Sequence, residues 1–175
     1  MAWNGQVATG PVELNMDLVR GDESPTEITR LAYGMEMSLG NFYQTMGQRM
    51  EDKEVIELLS QLASIEEKHK QYLLEMLRSI EHAEVDQAAL ESDISTTILE
   101  GGFDTDEFIT KNEEFMRTVT GLLDVAMMLE AQALDLYLRF AEKIESGDAT
   151  EILYKIGDEE KGHLAALGRL REEKM

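Results

Sequence analysis

The chain has 175 residues, no cysteine, only two prolines and a formal net charge of −20. That length supports one domain with a sizeable core, and the lack of cysteine excludes disulfides, zinc ribbons, rubredoxin-type iron sites and thiol catalysis. The acidic balance argues against nucleic acid or an anionic membrane surface as partner, whereas it suits cations. Abundant Met, Leu, Glu and Ala favour helices. With no apolar run of membrane-span length and no signal pattern at the start, the expected location is cytoplasmic.

Residues 1–23 have no sustained period and hold three glycines and a proline, which reads as a tail or linker ahead of one domain over 24–175. Ser24-Pro25-Thr26-Glu27 combines an N-cap serine, a first-turn proline and a glutamate three after the cap, so a first helix is expected over about 25–49. A second should run from near Asp52 to about 80. Residues 81–104 read as a crossover with a short helix, ending at Gly101-Gly102, and Asp104-Thr105-Asp106-Glu107 caps the next element. A third long helix is expected over about 106–145, broken before 116. Ser146-Gly147-Asp148 makes a turn, and a fourth helix follows over about 149–173. Four long helices, two short turns and one long middle connection describe an all-α four-helix bundle with a crossover between helices 2 and 3.

The apolar stripes of these helices contain charges. Helix 2 gives Val55, Leu59, Leu62, Glu66, His69, Leu73, Met76 and Ile80, in alternating steps of four and three, the spacing of a seam that faces a bundle core. Helix 1 places Glu36 in its stripe, helix 3 places Glu130, and helix 4 places Glu160 and His163. A buried, unpaired carboxylate costs several kcal/mol, about as much as a whole domain's stability. The seams contain no Lys or Arg to offset four of them, so metal ions are the expected partners. The alternative is a polar core network of carboxylic acids and imidazoles, which would need several neutral glutamates at pH 7.

The constellation is duplicated. Adding 94 to 36, 66 and 69 gives 130, 160 and 163, and Tyr43 and Tyr137 obey the same offset. The chain reads as two similar hairpins related by a pseudo-two-fold, offering four carboxylates and two imidazoles to one cavity. The offset selects Glu160 rather than Glu159, because Glu160 matches Glu66 whereas Glu159 matches Ile65. Glu67 and Glu159 are therefore read as flanking, partly solvated residues, and His82 as an exposed residue near a helix end. Each cation would receive one terminal glutamate, one histidine and two shared glutamates, with Glu66 and Glu160 as the bridges. One imidazole per metal in an oxygen-rich set suits iron or manganese, with zinc as a substitute. Two such ions about 3.5–4 Å apart can bind both oxygens of a peroxide or of dioxygen.

Residues 25–173 resemble the rubrerythrins and their ferritin-like relatives, on the segments GMEMSLGNFY (34–43), SIEEKHKQYL (64–73), MLEAQALDLY (128–137) and GDEEKGHLAAL (157–167). The resemblance implies a ferritin-like fold with a di-iron centre whose activity is reduction of hydrogen peroxide or oxidation of ferrous iron. It matches Glu36, Glu66, His69, Glu130, Glu160 and His163 to the family ligands. Two departures stand out. Many rubrerythrins carry a further glutamate one turn after the helix 3 ligand, where this chain has Ala133. Many also carry a cysteine-bound rubredoxin module, so the electron donor here must be external. The segment AWNGQVATGPVE (2–13) resembles the close of rhodanese-type sulfurtransferase domains. It implies an added Met1 and a chain that is the C-terminal part of a longer fusion; no sulfurtransferase activity follows, because that family's catalytic cysteine is missing.

Tyr43 and Tyr137 are candidates to hydrogen-bond a ligand carboxylate or to deliver a proton or electron to bound peroxide; a satisfied core tyrosine is the plainer alternative. Met35, Met37, Met127 and Met128 read as core packing, and Gly162 as permitting close helix approach. The leading functional expectation is a di-iron peroxide reductase with an external donor. A ferroxidase or iron-handling protein and a non-catalytic, metal-stabilised bundle are the alternatives. Because ferritin-like bundles pair through helix faces, a homodimer is expected.

Overall fold

The structure, a computed structural model, describes residues 23–101, 105–144 and 147–175. The tail and its rhodanese-like segment, Gly102, Asp104 and Ser146 lie outside the described residues. Six α-helices and one 3-10 turn, with no strand, form the described part.

Helix α1 spans Pro25–Arg49 and α2 spans Lys53–Glu81. Ser24 caps α1 through a reciprocal box: its hydroxyl accepts from the Glu27 N–H at 3.3 Å, and the Glu27 carboxylate accepts from the Ser24 N–H at 2.8 Å. Asp52 caps α2 by accepting from Glu54 and Val55 N–H at 3.1 and 3.3 Å. His82 ends α2 in the left-handed region, φ 51°, and is exposed as expected. The crossover holds α3 (Gln87–Gly101) and α4 (Thr105–Asn112).

The third long helix is shorter than its stripe suggested. A 3-10 turn at Phe115–Arg117 intervenes, and α5 proper spans Val119–Lys143. Thr118 is the reason: its hydroxyl accepts from the Gly121 N–H at 3.1 Å and restarts the helix. The turn folds back so tightly that a Cβ at position 121 would overlap the Phe115 carbonyl oxygen, so glycine is required there. Met116 still reaches the core from the 3-10 turn. Helix α6 spans Gly147–Glu173, starting two residues before the expected position.

Helices α1 and α2 form one antiparallel hairpin and α5 and α6 the other; α2 meets α6, and α1 meets α5, across the interface. This is a ferritin-like four-helix bundle, with α3 and α4 of the long crossover laid against α1. The seam residues named from the sequence are buried, apart from the half-buried Ile80. A second buried stripe on α1, including Tyr33 and Phe42, faces the crossover. The Tyr33 hydroxyl donates to Glu91 at 2.8 Å, and the Phe42 ring meets Phe108 edge-on at 5.9 Å. Among the described residues no helix is long and apolar enough to cross a membrane.

Candidate metal centre

The four seam glutamates and both seam histidines converge at mid-bundle. Glu36 comes from α1, Glu66 and His69 from α2, Glu130 from α5, and Glu160 and His163 from α6. The glutamates and His69 are fully shielded from solvent, and His163 is 4 % exposed. The Glu-x-x-His step puts each pair on one helix face.

The six residues form two overlapping sets. His69 Nδ1 lies 3.3 Å from Glu36 Oε2, 3.0 Å from Glu66 Oε2 and 3.2 Å from Glu160 Oε1. His163 Nδ1 lies 3.3 Å from Glu130 Oε2, 3.0 Å from Glu160 Oε2 and 3.5 Å from Glu66 Oε1. Glu66 and Glu160 thus present one oxygen to each set, whereas Glu36 and Glu130 each serve one. The two imidazoles stack at 5.7 Å between ring centres.

The arrangement fits cations better than protons. A ring nitrogen offers one N–H at most, yet three carboxylates from three helices crowd each Nδ1. All four oxygens of Glu66 and Glu160 are buried without a hydrogen-bond partner among the described residues. Such groups are costly unless something positive shares them. A divalent ion in each set would satisfy three oxygens and one nitrogen at once, a donor set suited to iron or manganese.

The charge states point the same way. Burial, then the neighbouring Glu36 charge, pushes the Glu66 carboxyl well up, with His69 opposing. Burial and Glu160 push Glu130 up to about 8 against the pull of His163. Burial also raises Glu160, but its contacts with Glu130, His163 and His69 outweigh it and hold the carboxyl low. Burial disfavours charge on the imidazoles, yet Glu160, Glu36 and Glu66 hold His69 up, and Glu130 and Glu160 lift His163 to about 9. Without cations the cluster stores protons, which a cation must displace.

The tyrosines complete the cage by crossing between hairpins. Tyr43 of α1 donates to Glu130 Oε1 of α5, and Tyr137 of α5 donates to Glu36 Oε1 of α1. Each outer glutamate therefore has one oxygen held by a phenol and the other facing a histidine. Both phenols are fully buried; burial, then the adjacent carboxylate, raises them well above the ordinary tyrosine range and keeps them protonated donors.

Two readings of the sequence need correction. Glu159 is more than a flanking residue: its Oε2 lies 3.2 Å from His69 Nε2, the ring nitrogen turned away from the cluster. Matching by the 94-residue offset hid this contact, because the partner position is Ile65. Glu67, by contrast, is exposed and bonds Lys70 and Gln71 on its own helix. Gly162 provides no close helix approach, since a Cβ there would meet nothing within 4 Å. The close approach is at buried Gly40 of α1, whose added Cβ would sit 3.7 Å from Glu66 Cβ. Ala133, at 1 % exposure, adds no seventh carboxylate.

Four helices that carry carboxylates and two Glu-x-x-His pairs into one core define the ferritin-like carboxylate class. The profile of the rubrerythrin family matches residues 27–170, and the chain belongs to that family, whose fold carries a di-iron site. No curated protein and no solved structure matches the chain.

Proposed function

We propose that this protein is a di-iron oxidoreductase that reduces hydrogen peroxide with electrons from an external donor. The observation that carries the reading is the sharing of Glu66 and Glu160 between two otherwise separate donor sets. Glu36, Glu66, His69 and Glu160 would hold one iron, and Glu66, Glu130, Glu160 and His163 the other. Bound there, two ferrous ions supply one electron each and open positions for the oxygens of the oxidant.

The chain's own part is to position and to protonate. The shared carboxylates fix the two donor sets side by side. Tyr43 and Tyr137 hold the outer carboxylates by one oxygen each, which leaves the other oxygen free for a metal. Their hydroxyls are buried proton donors one ligand away from the centre. The reaction takes two electrons and two protons per peroxide and gives two waters. Cysteine-free, the chain holds no redox thiol to restore the electrons, so the donor is a separate module or protein. In this reading the active form is a cytoplasmic homodimer, and the charge of −20 keeps it off nucleic acids and anionic membranes.

The test is anaerobic titration of the ferrous protein with hydrogen peroxide. One peroxide per pair of irons should oxidise the centre; ferrous protein that survives excess peroxide contradicts the reading. Ala133 favours a second reading, a ferroxidase or iron-handling protein, because a six-ligand symmetrical site lacks the further glutamate of many rubrerythrins. A large hollow oligomer with iron uptake far above two per chain would select it.

A further inference from the structure

The two donor sets match in their ligands but not in what stands behind the histidines. His69 Nε2 meets the half-buried Glu159 carboxylate at 3.2 Å, and the His69 ring leans on Tyr72 at 6.5 Å between ring centres. Tyr72 is in turn covered by the Lys155 ammonium, 3.8 Å from its ring centre. His163 Nε2 is buried with no hydrogen-bond partner among the described residues. The offset explains the difference: Glu159, Tyr72 and Lys155 correspond to Ile65, Ala166 and Gln61. None of those three can reproduce the acceptor, the ring or the cation.

We propose that Glu159 makes the two metal positions unequal, so that the first cation enters the set of His69, Glu36, Glu66 and Glu160. This rests on the di-metal reading above. The physical cause is the orientation of the ligand ring. The Glu159 carboxylate behind Nε2 fixes the His69 ring in its plane, so that Nδ1 is held aimed at the point between Glu36, Glu66 and Glu160 where a cation would sit. Among the described residues His163 has no acceptor at Nε2, so nothing behind the ring holds its Nδ1 in the same way, and a cation must order that ligand as it binds. Glu159 is a positioning residue: it touches no reacting atom and acts through His69.

The experiment is a calorimetric titration of metal-free protein with Co(II), comparing wild type with E159A, E67A and I65E. Glu159 and Glu67 both sit toward solvent, so removing either tests the same loss of one charge without emptying the core. The expected result is that E159A weakens the first binding step about 10- to 100-fold and leaves the second step alone. E67A should change neither, and I65E, which supplies the missing acceptor behind His163, should tighten the second step only. An unchanged first step in E159A, equal weakening of both steps, or the same loss in E67A overturns the proposal while leaving the di-metal reading intact. If wild-type protein takes up no Co(II), both fall together.

Discussion

The α1–α2 hairpin and the α5–α6 hairpin share an inner seam and differ on the outside. Inside, Glu36, Tyr43, Glu66 and His69 repeat as Glu130, Tyr137, Glu160 and His163, and each tyrosine reaches across to the other hairpin's glutamate. Outside, Tyr33 and Phe42 of α1 lie under the crossover, whereas of the equivalent α5 residues Leu136 is buried and Met127 only half-buried. The duplicated part is the part that charge chemistry constrains; the parts that differ only have to fill space or meet solvent. A seam position must supply a ligand at one height in the bundle, while an outer position can take any side chain that suits its local neighbour.

Removing metal attacks what the hairpins share and should have the largest effect. A ligand present at a thousandfold its dissociation constant stabilises by about 4 kcal/mol, and each kcal/mol moves the melting point of a domain this size by about 2–4 °C. Chelation should therefore lower the melting temperature by on the order of 10 °C or more, measured by calorimetry with and without iron. The converse sharpens the point. Glu66→Gln should lower the melting temperature of the metal-loaded protein far more than that of the metal-free protein, because without a cation burial already keeps the Glu66 carboxyl in its neutral form.

Phe108→Ala attacks what the hairpins do not share. It should cost about 3–5 kcal/mol through the cavity left beside Phe42, yet leave the metal-to-protein ratio unchanged. Denaturant unfolding and metal analysis of the same sample check both halves.

Tyr43→Phe and Tyr137→Phe test the pseudo-symmetry itself. Each leaves one buried glutamate oxygen without its donor, at a cost of about 1–3 kcal/mol. Equal losses in the two variants are expected from urea unfolding, since the crossed contacts are equivalent.

The smallest effect concerns the tie between hairpins at their ends. Lys174, just past α6, bonds Asp52 at 2.7 Å, and that contact holds the Asp52 carboxyl below its usual value of 3.8. A depressed carboxyl stabilises the fold above its unfolded value, and the contribution disappears as pH falls through the folded one. Asp52→Asn keeps the N-cap and loses the charge. The variant should be slightly less stable than wild type near neutral pH and indistinguishable from it at about pH 2, measured by thermal melts across that range.

The seam was legible because it obeys two constraints at once, helical period and duplication. A glutamate at a core position such as 66 stands out against Leu62 and Leu73, and its echo 94 residues on excludes accident. What escaped notice breaks one of those constraints. Tyr33 and Phe42 sit outside the single stripe expected on α1, because the stripe argument assumed one buried face and the crossover covers a second. The start of α5 at Val119 depends on Thr118 and Gly121, whose local backbone geometry no apolar period reports. Glu159 eludes the duplicate pattern because its partner position is Ile65, and its contact with His69 Nε2 exists only where the duplication fails.

The central claim is that six inward-facing side chains hold two cations, and diffraction tests it most directly. Crystals of iron-loaded protein, measured at the iron edge, should show two anomalous peaks in mid-bundle, one beside His69 Nδ1 and one beside His163 Nδ1, with Glu66 and Glu160 touching both. A single peak, or peaks only among the surface carboxylates, would contradict it.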